Sequence, residues 1–141
     1  MTPPDVRVLE GQTSPGILAN VSDLLDQTWS AHPEIPVAIQ TQMSIAVCEV
    51  AANIVEHAAR GLPVYIRMEV RVLPHEVRVE FTDAGRHVQI DLDTVSLPDE
   101  MAERGRGLAL AKSALAELAY TKSTATKSTT NHWKLVSKRF G

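Results

Sequence analysis

The chain has a single cysteine, Cys48, among its 141 residues. One thiol closes no intramolecular disulfide and builds no multi-cysteine metal cage. It suits a reducing compartment, and Cys48 itself reads as a small core residue. Positive charge is also not in excess. Lys and Arg number 14 against 17 Asp and Glu, for a net charge of -3 and a pI of about 5.9. The basic residues Lys112, Lys122, Lys127, Lys134, Lys138 and Arg139 are spread out and read as solvated faces, so the electrostatic footprint of a nucleic-acid binder is missing. The N-terminus carries no charged-then-apolar leader. The apolar stretch 43–55 is interrupted by Glu49 and Asn53, which makes it too polar to span a membrane. There is no internal repeat, and the five histidines form no metal cluster by spacing. What remains is the expectation of one soluble, cytoplasmic domain, 1–141, long enough to bury a proper core and ordinary in its 44% apolar content.

Periodicity divides the chain into elements. Residues 6–9 read as a short strand. A helix capped by Ser14 or Ser22 runs to about Trp29, with Ile17, Leu18, Val21, Leu24, Leu25 and Trp29 at helical spacing. That stripe, with Trp29, fits either core or a subunit interface. Pro36 suits a helix start, because its missing N–H is not needed in the first turn. The pattern stays helical from Val37 to about Ala59, and Gly61 and Pro63 stop it. The period then changes. Val64, Ile66, Met68, Val70 and Val72 alternate with polar residues, 73–76 reads as a turn, and Val77, Val79 and Phe81 alternate again, giving a hairpin. Residues 86–104 read as a loop ended by Gly105-Arg106-Gly107. A further helix is expected from Leu108 to about Ala119, then strands near Tyr120 and over 132–138. This order predicts an α+β, two-layer α/β sandwich with helices on one face of a mixed, largely antiparallel sheet.

Three small motifs carry chemistry. Glu49, Asn53 and His57 are spaced four apart, which puts them on one helix face. Such a stripe is also what a hydrogen-bonded helix edge looks like. Asp83-Ala-Gly85 ends the hairpin's second strand; alone it is a turn. Gly105-Arg-Gly107 opens a helix, where unpaired N–H groups and a partial positive charge favour phosphate. No Lys-Ser/Thr follows, so it does not match a Walker loop, and it does not follow a strand in a βαβ unit, which argues against a dinucleotide fold.

Together and in this order the motifs resemble a family. Glu49-Val-Ala-Ala-Asn53-Ile-Val-Glu-His57-Ala resembles the N box of the GHKL ATPases, which share a histidine-kinase-like (Bergerat) ATPase fold. Phe81-Thr-Asp83-Ala-Gly85 resembles their G1 box, and Glu103-Arg-Gly105-Arg-Gly107-Leu-Ala-Leu their G2 box. The short length, His57 and the Gly-Arg-Gly-Leu spelling look most like anti-sigma-factor serine/threonine kinases. The resemblance implies ATP and Mg²⁺ as cofactors. Asn53 would ligate the metal, Asp83 would accept a hydrogen bond from the adenine amino group, and Gly85 would leave room for the base. Gly105, Gly107 and Leu108 would lie at the phosphates. Arg104 and Arg106 would add charge there or be solvated. Thr129 or Thr130 would correspond to a family threonine near the adenine. Glu49 would be the general base. His57 would contact the nucleotide or be structural. The implied activity is phosphorylation of an anti-anti-sigma (STAS) partner together with sequestration of a sigma factor, by a homodimer, with no direct nucleic acid or membrane. The other reading is a nucleotide-responsive regulatory module without catalysis. The Arg86-His87 pair departs from the small residue or proline common in the family, and the segment 86–104 is short and lacks clear glycine hinges.

Overall fold

The computed structural model describes residues 4–59, 62–85, 103–123 and 130–141. Its elements are β1 (Asp5–Gln12), α1 (Ile17–Ala31), α2 (Val37–Asn53) continued by a π-helical turn (Ile54–Ala59), β2 (Tyr65–Val72), β3 (Val77–Asp83), α3 (Glu103–Ala114), β4 (Glu117–Ser123) and β5 (Thr130–Val136). The strands form one sheet in the order β1-β2-β3-β5-β4, and all four pairings are antiparallel. The parallel component expected of a mixed sheet is therefore absent among the described residues.

Strand alternation builds the two layers. In β2 the residues Ile66, Met68, Val70 and Val72 are buried, and Val77, Val79 and Phe81 of β3 match them. Val70 lies opposite Val79, and Met68 opposite Phe81. Trp133 and Leu135 of β5 continue this face beside Phe81 and Val79. The other face carries Arg67, Glu69, Arg71, Arg78 and Glu80, with Glu69 bridging Arg67 and Arg71 at 3.0 and 2.8 Å.

Helix α2 lays Ile39, Met43, Ala46, Val47, Val50 and Ala51 on the apolar face of the sheet, and Ile54 extends this contact. By length and composition, residues 37–56 form a helix apolar enough to cross a membrane, with a mean hydropathy of 1.2. Its buried stripe instead belongs to the sandwich core. Burying side chains as fully as Met43 or Phe81 is worth about 1.5–3 kcal/mol each. Cys48 lies off that stripe and is exposed, contrary to its reading as a core residue.

Helix α1 contributes Ile17, Val21 and Leu25 to the core. Trp29 is half-buried against it and donates Nε1–H to Ser44 Oγ at 2.9 Å, joining α1 to α2. Neither expected serine caps α1. Gly16 stands at the N-cap with no side-chain hydrogen bond, and the Ser14 carbonyl accepts the Ile17 N–H at 3.1 Å.

Two boundaries differ from the periodicity. Helix α3 already begins at Glu103, so the glycine pair lies inside its opening turns. It ends at Ala114, and Leu118 and Ala119 belong to β4. Leu108, Ala111, Leu115 and Leu118 all reach the core, so a helical pattern of leucines ran on across a helix-to-strand junction.

Candidate functional site

Glu49 and Asn53 sit one turn apart on α2. Glu49 is half-buried; Asn53 is the last α-helical residue and only 7% exposed. The helix then widens into the π turn, a feature that often marks functional positions. The His57 side chain lies outside the described residues.

Glu49 meets the start of α3. A Cβ added at Gly107 would land on the Glu49 carboxylate, its closest neighbours being Oε2, Cδ and Oε1 of that side chain. The absence of a side chain at Gly107 is what leaves the Glu49 carboxylate its place against α3. Leu108 behind it is 3% exposed and anchors the helix to the core. The side chains of Arg104 and Arg106, and the surroundings of Gly105, lie outside the described residues. So do Arg86, His87, Thr129 and the rest of 86–102.

Asp83 ends β3 and is fully buried. Its Oδ1 accepts the Gly85 N–H at 2.9 Å, the turn in which an Asp side chain caps the backbone two residues on. The same oxygen accepts Asn131 Nδ2–H at 2.9 Å. Asn131 also donates to the Gly85 carbonyl at 3.1 Å, and its Oδ1 accepts the Tyr120 hydroxyl at 2.6 Å. Asn131 lies directly opposite Asp83 in the β3–β5 register and is fully buried. Thr130 pairs with Ser123 and, by alternation, projects to the other side of β5. The strand residue that reaches Asp83 is therefore Asn131, which the motif reading passed over. Its one sequence signal is a polar residue on the inward phase of β5, in line with Trp133 and Leu135.

The structure thus joins Glu49 with Gly107, and Asp83 with Gly85. These are two clusters on elements that pack together, since α2 contacts both α3 and β5. A cavity of about 290 Å³ bounded by Asp5, His32, Glu34, Ile35, Val72 and Phe140 lies elsewhere, at the opposite end of β1 and β2 from Asp83. His32 there is held by Asp5 through Nε2 at 2.7 Å and by Glu34 through Nδ1 at 3.0 Å. The Asp5 hydrogen bond is the main reason the imidazole pKa is raised, and His32 and Arg7 hold the Asp5 carboxyl below its usual range. Among the described residues no group of three His, Cys, Asp or Glu side chains could hold a metal ion.

Chemically, the clusters suit a magnesium nucleotide. A buried carboxylate is an acceptor for a base amine, a buried amide supplies the hard oxygen Mg²⁺ prefers, and the glycine in the opening turns of α3 lets Glu49 lie close to that helix. Three helices on one face of an antiparallel sheet, with these residues on the second helix, a central strand end and the third helix, define a nucleotide-binding α/β sandwich of the histidine-kinase type. The family model described as a histidine kinase-like ATPase domain matches residues 14–132, most of the chain, and the protein belongs to that family. It is a GHKL-type, kinase-like ATPase domain, and domains of this type bind ATP, typically with Mg²⁺. Among solved structures it is similar to the histidine kinase domain of the Erythrobacter litoralis EL346 blue-light activated histidine kinase, with 20% identity and a TM-score of 0.53. The alignment covers 82% of this chain and 60% of that one, and it bears on the fold alone. A comparison with curated protein sequences gave no match.

Proposed function

We propose that this domain is an anti-sigma-factor serine/threonine kinase: it binds Mg-ATP, phosphorylates a STAS-fold anti-anti-sigma partner and sequesters a sigma factor, working as a cytoplasmic homodimer. The observation that carries the reading is the meeting of Glu49 with Gly107. It sets a carboxylate beside the opening turns of α3, where a phosphate chain would lie and where a proton acceptor is needed.

Each residue has a physical task. Asp83 binds the base through its carboxylate, and Gly85 keeps that end open. Asn53 would offer its amide oxygen to Mg²⁺, which would supply positive charge to offset that of the phosphates. Gly105 and Gly107 let backbone N–H groups approach the phosphates, with Leu108 holding the helix in place. Arg104 and Arg106 add positive charge there. His57 borders the nucleotide from the π turn. Glu49 takes the proton from the attacking serine or threonine hydroxyl as that oxygen bonds to the γ-phosphorus and ADP leaves. Phosphoryl transfer asks mainly for positioning and charge neutralisation, so this set is sufficient in kind.

The test is transfer of radiolabelled γ-phosphate to a cognate STAS partner. Wild type is expected to transfer, and Glu49→Ala to bind ATP normally while losing at least about a hundredfold in rate. Wild type that binds ATP but labels no cognate partner would support the non-catalytic regulatory module instead.

A further inference from the structure

We propose that Asn131 is the positioning residue of the base-binding end, with Tyr120 as its lock: the pair holds the Asp83 carboxylate and the Gly85 peptide in one fixed arrangement. The inference rests on the nucleotide reading of Asp83 and extends it to two residues outside the three motifs.

The hydrogen-bond chemistry leaves one assignment. The Asp83 carboxylate and the Gly85 carbonyl only accept, so the amide end of Asn131 facing both must be its NH₂. Its oxygen is then turned to Tyr120, which donates at 2.6 Å. Tyr120 is itself fixed against Trp133, with ring centroids 4.6 Å apart. The backbone of Gly85 is gripped on both sides of its Cα, the N–H by Asp83 and the C=O by Asn131. Rotation of the Asp83 carboxylate away from this pose breaks two hydrogen bonds at once. Asp83 and Asn131 are both fully buried, and in such surroundings a satisfied network is stiff and an unsatisfied one costly. A hydroxyl at position 131 has a single hydrogen and could not serve both acceptors. An aspartate there would face Asp83 acceptor to acceptor.

The experiment is calorimetric titration of the full chain with Mg-ATP across about pH 5.5 to 8, for wild type, Asn131→Ala, Asn131→Asp and Tyr120→Phe, with a thermal melt of each. Asn131→Ala is expected to weaken binding by about tenfold or more, and Tyr120→Phe, which removes one hydroxyl and leaves the amide, by a few-fold. Asn131→Asp should bind poorly at the alkaline end and regain part of the loss as the pH falls, because the new carboxyl must take up a proton before it can donate to Asp83, and with one hydrogen it replaces only one of the two amide bonds. That recovery separates positioning from a merely structural role, which would move the melting temperature without tying affinity to pH. Should the Asn131 variants fail to fold, Tyr120→Phe decides alone. Binding equal to wild type in Asn131→Ala or Tyr120→Phe, or an Asn131→Asp defect that ignores pH, overturns this inference and leaves the nucleotide reading standing. Wild type that binds no ATP overturns both.

Discussion

At the residue scale the proposed chemistry rests on two side chains, each set against a glycine: Glu49 against Gly107 and Asp83 against Gly85. Asp83 is held through Oδ1 by the Gly85 N–H and by Asn131. Asp83→Asn replaces half of that acceptor with a donor, opposite groups that already donate. ATP affinity should fall by at least about tenfold, read by calorimetry. Unchanged affinity would mean that the base is bound elsewhere. Gly107→Ala probes the other cluster. The methyl would occupy the space of the Glu49 carboxylate, so either Glu49 or α3 must give way. A misplaced general base costs turnover more than binding. The transfer rate should drop about tenfold or more while the Kd for ATP moves by less. Equal losses in both would show that Gly107 serves the phosphates alone. Asn131 marks where sequence reasoning ran short. Its role depends on lying across from Asp83, 48 residues away in the chain, a cross-strand register no local pattern reveals.

At the element scale, most of the fold could be read from alternation and turn chemistry. The β2–β3 hairpin and the long second helix follow from periods of two and 3.6 written in Val, Ile, Met and Ala. Where the periods mislead, tertiary packing is the reason. Leu115 and Leu118 continue the rhythm of α3, yet Leu118 sits in β4, because both a helix end and a strand start can point leucines at the same core. The π turn at Ile54–Ala59 is likewise invisible to spacing. The junction of β1 and α1 yields a pH prediction. His32 ends α1 and is clasped by Asp5 of β1 and by Glu34, with Arg7 bound to the same Asp5 oxygen. Its folded pKa lies above the ordinary 6.5, chiefly through the Asp5 hydrogen bond. The stabilisation is therefore complete below about pH 6.5 and is lost as the pH rises through the raised folded value. Asp5, whose pKa is lowered, works the other way: its contribution is present above 3.8 and fades as the pH falls through its depressed folded value. Urea denaturation should show stability declining from near pH 6 toward pH 8.5, and His32→Gln should flatten that limb. A wild-type profile no different from His32→Gln would show that the clasp carries no stability.

At the scale of the whole molecule, one apolar layer supports both clusters. Met43, Val47 and Val50 of α2 and Phe81, Trp133 and Leu135 of the sheet share a single core. The helix carrying Glu49 and Asn53 and the strands carrying Asp83 and Asn131 are thus set by the same packing. Truncating Phe81, fully buried opposite Met68 and Trp133, should cost about 3–5 kcal/mol in chemical denaturation and weaken nucleotide binding with it. A smaller loss would mean that the core repacks around the gap. One magnesium nucleotide is expected to engage both clusters, and calorimetric titration with ATP, with and without Mg²⁺, tests this directly. One site per chain, weakened when Mg²⁺ is chelated, is the predicted result. No heat of binding at millimolar ATP, or binding indifferent both to Mg²⁺ and to Asp83→Asn, would contradict it.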